Sequence, residues 1–453
     1  MFKSFYQKLK YKNLLFFFLT LVSTFFLINL SPSIFERIQP DSSGYLSGAQ
    51  YRTMTYSIIV RILANFNVDI IFFQKLLLST SIISLCFFLK KCKINYFGLI
   101  VFYSLIVFNY YYTSFSKTVT PDAIFFSLIN FAVINLFYLR SNLNIITFGV
   151  LCGMIFTLKP IGMVVTIILC IFSFVAIKNL KKSLTIFFFL LTPILIENLF
   201  FYKKFDERST ILKESIIGKL FLLSGKDSFI ISKYPIELKD LLNATKNEFS
   251  NVHNFLSKVE DRFLRAELMA DYEVVAQYQT FNLLSVKKLS LNKNKLKNDY
   301  KNIALFLLKN NFYDYITLSL NHYIGIWSIG SKVRYLEEIN SKQEIPMYEK
   351  LKKSSGKMNL PSSKLLEIVQ FFFIILFLIL SIKTLIITIK VGFRAKDSIS
   401  IHDIFYISLS QVYILSICFT NVSTPRYLMT IYPVLIIIFI RFLMESYNKI
   451  KRS

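Results

Sequence analysis

The chain has 453 residues, of which 54% are hydrophobic and 17% aromatic, with only 18% charged and a mean hydropathy of +0.51. Such a composition excludes an ordinary soluble domain, because apolar runs with almost no charge recur at close to the roughly 20 residues a helix needs to cross a bilayer. The formal net charge of +26 does not point to nucleic acid: Lys and Arg sit in short clusters beside apolar runs instead of forming one basic face, the pattern of the positive-inside rule.

The apolar runs are continuous, not alternating, so helices rather than a closed barrel satisfy the backbone in lipid. The first run follows Lys3, Lys8, Lys10 and Lys12 and extends past the length of a signal-peptide core without a small-residue cleavage site, which predicts a retained span. In chain order the candidate spans are 13 to 31, 70 to 89, 95 to 114, 120 to 139, 143 to 158, 160 to 177, 183 to 202, 364 to 389, 402 to 420 and 424 to 444. With the basic N-terminus in the cytoplasm, Lys90, Lys91 and Lys93, then Arg140, then Lys178, Lys181 and Lys182, then Lys390, Arg394 and Lys396 fall on that side, as do Lys449, Lys451 and Arg452. Both termini are then cytoplasmic. The middles of the spans are almost purely apolar, and all five cysteines (Cys86, Cys92, Cys152, Cys170 and Cys418) lie in or beside spans, so no disulfide framework is expected.

Two segments do not read as spans. Residues 53 to 69 are short and carry Arg61, and residues 303 to 329 are amphipathic with Lys309, Asp314, His322 and the single tryptophan, Trp327. Both suit helices at the membrane interface. The expected fold is an all-α polytopic membrane protein of about ten transmembrane helices with interfacial helices and one large extracytoplasmic loop domain. Residues 1–202 form an N-terminal membrane module, 203–363 a mainly helical loop domain, and 364–453 a C-terminal membrane module. Long loops translocate regardless of charge, so the basic excess of 203–363 does not oppose its placement outside.

On this topology the polar residues at span ends gather on the outer face. The first outer loop, QPDSSGYLSGAQYR, carries Asp41, Tyr45 and Arg52; the second, SFSKTVTPD, carries Lys117 and Asp122. Lys159 stands at the next outer turn, and TNVSTPRY carries Arg426 and Tyr427. Cations beside carboxylates suit an anionic lipid head group, since Arg and Lys neutralise a phosphate while a carboxylate takes a proton from a hydroxyl. Each residue also has a plainer use. Asp122 after Pro121 suits a helix N-terminus, Asp41 in a Ser/Gly turn suits an Asx turn, and Lys159 and Arg426 suit snorkelling to lipid phosphates.

In this order and on one face, PDSSGYL with Asp41, TPDAIFF with Asp122, LKPIG at 158 to 162 and STPRYLMTIYP at 423 to 433 resemble the motifs of GT-C glycosyltransferases. These membrane enzymes use polyprenyl-phosphate sugars and include protein O-mannosyltransferases and lipid A aminoarabinose transferases. The resemblance implies a GT-C-like fold and transfer of a sugar from a polyprenyl-phosphate donor to a lipid, glycan or protein acceptor on the outer face of the cytoplasmic membrane. It implies Asp41 and Asp122 as catalytic residues, and Tyr45, Arg52, Lys117, Lys159, Arg426 and Tyr427 as substrate-binding residues. No cofactor is expected. The first loop has no paired acids, only Glu36 and Asp41, so no ligand cluster supports a divalent metal. The competing classes are a lipid-linked glycan transporter or flippase, which would place ionisable residues at the midplane, and a polysaccharide polymerase with a large outer loop.

Overall fold

The computed structural model describes residues 2–206 apart from 34, 40, 51 and 140, then 218–219, 221–226, 229–233, 236–260, 262–287, 305, 308–326, 344–355, 379, 382, 386, 401–420 and 425–450. The expected span 364 to 389 falls almost wholly outside the described residues, as do Trp327, Arg140, Lys390, Arg394, Lys396, Lys451 and Arg452.

The described residues are helical, with no strand among them. The expected membrane module begins with α1 (Phe2–Leu30), followed by the short α2 (Ser42–Ser47) and α3 (Thr55–Asn65) and then α4 (Ile70–Lys91). Next come α5 (Tyr96–Val107), α6 (Tyr110–Ser114), α7 (Asp122–Leu136), α8 (Asn142–Leu158), α9 (Gly162–Ile177) and α10 (Leu180–Lys204). Helices α11 (Ile236–Lys258), α12 (Arg262–Lys287), α13 (Phe312–Gly325) and α14 (Tyr348–Ser355) belong to the loop region, and α15 (Ile401–Thr420), α16 (Pro425–Thr430) and α17 (Tyr432–Ile450) return to the module.

Among the described residues, α4 and α10 are long and apolar enough to cross a membrane, and α5 with the segment Tyr110–Lys117 makes a third if the pair, bent by 53°, is one span. Helices α7, α8 and α9 and parts of α1, α15 and α17 are apolar but shorter. The expected spans in the described residues thus coincide with apolar helices, while crossing by length and composition holds for the smaller set. The bend in 95 to 114 has a local cause. The Asn109 side chain accepts the Tyr112 N–H at 3.1 Å and starts a new helix there.

Helices α1 and α4 pack antiparallel. Asn29 of α1 meets Lys75 of α4, and Phe16 and Phe17 meet Phe87 at the other end. Helix α8 runs parallel to α10 and close against it. A Cβ at Gly153 would stand 2.4 Å from the Leu190 carbonyl oxygen, and one at Gly149 would stand 2.7 Å from that of Ile186. Two glycines four residues apart let the backbones touch, as helices do in lipid where no hydrophobic drive separates core from solvent.

The loop region has its own apolar cluster, including Leu242, Phe249, Leu268, Tyr272 and Leu318, apart from the cluster that fills the module. Helix α13 joins the two. Tyr315 and Leu318 sit in the loop cluster, whereas Ile326 belongs to that of the module. It runs antiparallel beside α15, with Tyr315 Oη donating to the Phe419 carbonyl and Tyr323 Oη donating to Gln411 Oε1 at 2.7 Å. Two polar residues of the segment 303 to 329 have protein partners: Asp314 pairs with Lys226 at 2.7 Å, and His322 meets Glu273.

Candidate functional site

The site is assembled at the end of the module where α1 stops and α4 and α7 start. Asp41 immediately precedes α2, and its carboxylate makes no capping hydrogen bond there. Instead Arg52 Nη2 donates to Oδ1 at 2.7 Å and Arg426 Nη1 donates to Oδ2 at 3.2 Å. The Asx-turn reading is thereby excluded.

Asp122, the first residue of α7, is fully buried. Its Oδ1 accepts from Lys159 Nζ at 2.6 Å and Arg426 Nε at 3.1 Å, and its Oδ2 accepts from Arg426 Nη2 at 2.6 Å. The carboxylate is thus spent on side-chain cations and not on capping its helix. Lys159 does not snorkel: its side chain is 6% exposed and its ammonium stands 5.7 Å from the centre of the Phe125 ring and 5.8 Å from that of Tyr427. Nor is Arg426 turned outward to lipid. It holds Asp122 with a two-pronged grip and offers its third nitrogen to Asp41.

The result is a chain of alternating charge, Arg52–Asp41–Arg426–Asp122–Lys159, with three cations on two carboxylates. The two carboxylates differ in exposure: the Asp41 side chain is 38% accessible and that of Asp122 is 0%. Tyr45 flanks the open end, its hydroxyl 3.0 Å from Arg52 Nη1 and its ring 4.5 Å under the guanidinium. Burial raises the Tyr45 phenol above its ordinary value, with the Arg52 charge opposing, so it remains a neutral hydroxyl.

Of the residues singled out from sequence, Lys117 stands apart. Its ammonium donates to the carbonyls of Asn29, at 3.2 Å, and Ser31, beside the end of α1. The reason is steric as well as electrostatic. Lys117 closes a short 3₁₀ turn (Phe115–Lys117), and the last carbonyls of a helix attract a cation.

Sequence reasoning missed what holds the Arg52 loop. Glu197, buried in α10, accepts the Met54 N–H at 2.8 Å, and Thr53 Oγ1 donates to the Leu158 carbonyl at 2.9 Å, next to Lys159. Lys204 donates to the carbonyls of Ser47 and, at 3.1 Å, Gly48, whose φ of 59° closes α2. Glu197 was legible as the acid inside an otherwise apolar run, a position that carries function or structure by default.

The carboxylate oxygens of Asp41 and Asp122 already have cations on them, so this donor set does not suit a divalent ion, which needs several free oxygens at once. Compared with family models, with curated proteins and with solved structures, the chain has no match in any of the three.

Proposed function

We propose that the chain is a membrane glycosyltransferase that moves a sugar from a polyprenyl-phosphate donor to an acceptor hydroxyl at the outer face of the cytoplasmic membrane. One observation carries the reading: an accessible carboxylate, Asp41, is set among a surplus of guanidinium and ammonium groups anchored on a fully buried carboxylate, Asp122. Transfer from a phosphate carrier needs both parts at once, a base for the incoming hydroxyl and positive charge for the leaving phosphate.

In this reading Asp41 takes the proton of the acceptor O–H as its oxygen bonds to the anomeric carbon. The bond from that carbon to the phosphate oxygen breaks, and the electron pair leaves with the phosphate toward Arg52, Arg426 and Lys159. Asp122 does not touch the reacting atoms. It is the positioning residue that keeps Arg426 aligned when a phosphate draws Nη1 away from Asp41, because Nε and Nη2 stay bound to Asp122. Tyr45 and Tyr427 border the cations and shape the space around the donor.

The charges gather at one end of the bundle, which supports surface chemistry over transport, where ionisable groups belong at the midplane. The test is turnover of the full chain in lipid vesicles with a panel of polyprenyl-phosphate sugars. We expect transfer from at least one donor and a loss of roughly 100- to 10,000-fold in kcat for Asp41→Asn, an isostere that cannot accept a proton. Equal turnover by Asp41→Asn would move the base elsewhere, and absence of transfer across the panel would overturn the reading.

A further inference from the structure

Lys117 belongs to a second cationic group, at the seam between α1 and α4. Lys75, in the second turn of α4, donates to Asn29 Oδ1 at 2.6 Å, and Lys117 donates to the Asn29 carbonyl at 3.2 Å. Arg37 reaches Asp69, the residue before α4, at 3.1 Å, and its own carbonyl accepts the Val119 N–H at 2.8 Å, which ties it to the Lys117 turn. Two of the three cations thus meet at Asn29, and the third, Arg37, holds the group's one carboxylate, Asp69. An ammonium has three N–H donors, so Lys75 keeps hydrogen-bonding capacity beyond its one contact.

Directly along the helices from this group the seam is apolar and uncovered. Phe26 and Leu30 on α1 and Phe72 and Leu76 on α4 are exposed, each pair one helical turn apart, and Phe25 joins the two helices by an edge contact with Phe72 at 5.4 Å. Capping of the last α1 carbonyls accounts for Lys117. It does not account for Lys75, whose partner is a side chain, nor for Arg37, which is exposed and paired with Asp69.

We propose that Arg37, Lys75 and Lys117 form a binding site for an anionic phospholipid of the bilayer, with its phosphate among the three cations and an acyl chain along the α1–α4 seam. Charge complementarity selects the occupant. A zwitterionic lipid brings its own ammonium to compensate the phosphate, and a free phosphate leaves the apolar seam uncovered. Juxtamembrane cations of this kind each contribute measurably to the attraction of anionic lipid.

The experiment is thermal unfolding of the detergent-purified full chain titrated with phosphatidylglycerol, with phosphatidylcholine and with inorganic phosphate as separate arms. Phosphatidylglycerol is expected to raise the unfolding midpoint in a saturable way, and the other two are not. The Arg37→Gln/Lys75→Gln variant should lose about fivefold in apparent affinity for phosphatidylglycerol per cation removed, about 25-fold in all. Should the double variant fail to fold, Lys75→Gln alone carries the comparison, since glutamine still donates to Asn29. A response to phosphatidylcholine or inorganic phosphate equal to that for phosphatidylglycerol would overturn the proposal, as would unchanged affinity in the variants. No sugar donor enters the measurement, so its outcome is independent of the transferase reading.

Discussion

Asp41 and Asp122 are the same residue type about 80 positions apart in the chain, yet their surroundings give them different work. Asp41 is partly open and shares its oxygens between two arginines, whereas Asp122 is sealed and holds a lysine and an arginine in place. Removing one partner of a buried ion pair leaves the others uncompensated, at a cost of about 3–5 kcal/mol. Asp122→Asn is therefore expected to lower the unfolding temperature sharply, because Lys159 loses the carboxylate it pairs with. Thermal unfolding of the purified variant measures this, and a wild-type midpoint would mean that the cations are neutralised some other way. Both acids were visible in the sequence, since each stands at the edge of an apolar run beside turn residues. What was not visible is which one is sealed. That depends on Arg426, which lies 304 residues from Asp122 and reaches both.

Helices follow from the apolar runs, so their existence was legible while their interruptions and contacts were only partly so. The break at Asn109 is set by one side-chain cap inside a run of aromatic residues, and Ile431 separates α16 from α17 in a segment that reads as a single span. The packing of α8 on α10 rests on Gly149 and Gly153, a spacing present in the sequence as GVLCG but meaningful only once Leu190 and Pro193 are opposite. A Cβ at Gly153 would stand 2.9 Å from the Pro193 ring as well as 2.4 Å from the Leu190 oxygen, so the helices must separate to admit one. Gly153→Val is expected to destabilise the module by about 1–3 kcal/mol, the usual cost of overpacking. The effect should reach the site, because α10 holds the Arg52 loop through Glu197 and α8 holds it through the Leu158 carbonyl. Unfolding temperature reports the first effect, and cysteine accessibility at position 52 reports the second. A variant that folds and keeps position 52 protected would show that the close approach is incidental.

At the scale of the whole molecule the question is what fastens the loop region to the membrane module, and the fastening is ionic as well as apolar. Lys219 donates to the Cys418 carbonyl at 3.1 Å, near the end of α15, and its ammonium is paired with Glu273 of α12 at 3.1 Å. Glu273 also receives His322 of α13, and all three side chains are fully buried. Charged helix patterns in this region were readable, but a pair 54 residues apart with α11 between its members was not. Burial and then the Lys219 charge hold the His322 imidazole below its ordinary value, with Glu273 opposing. For Glu273, burial alone would raise the carboxyl, but Lys219 and His322 outweigh it and hold it low. Both groups therefore bind protons less readily folded than unfolded, so folding is favoured above their ordinary values and loses that support as the pH falls. The loss begins near the ordinary histidine value of about 6.5 and deepens below the carboxylate value of about 4.3. We expect amide hydrogen exchange in α12 and α13 to accelerate between pH 7.5 and pH 4.5, after correction for the intrinsic rate, while α4 in the module stays protected. The Lys219→Met/Glu273→Leu/His322→Leu variant should weaken that pH response, since this buried titrating cluster is then gone. Protection of α12 and α13 that is unchanged in the wild-type chain across this range would show that apolar contacts alone hold the loop region on α15.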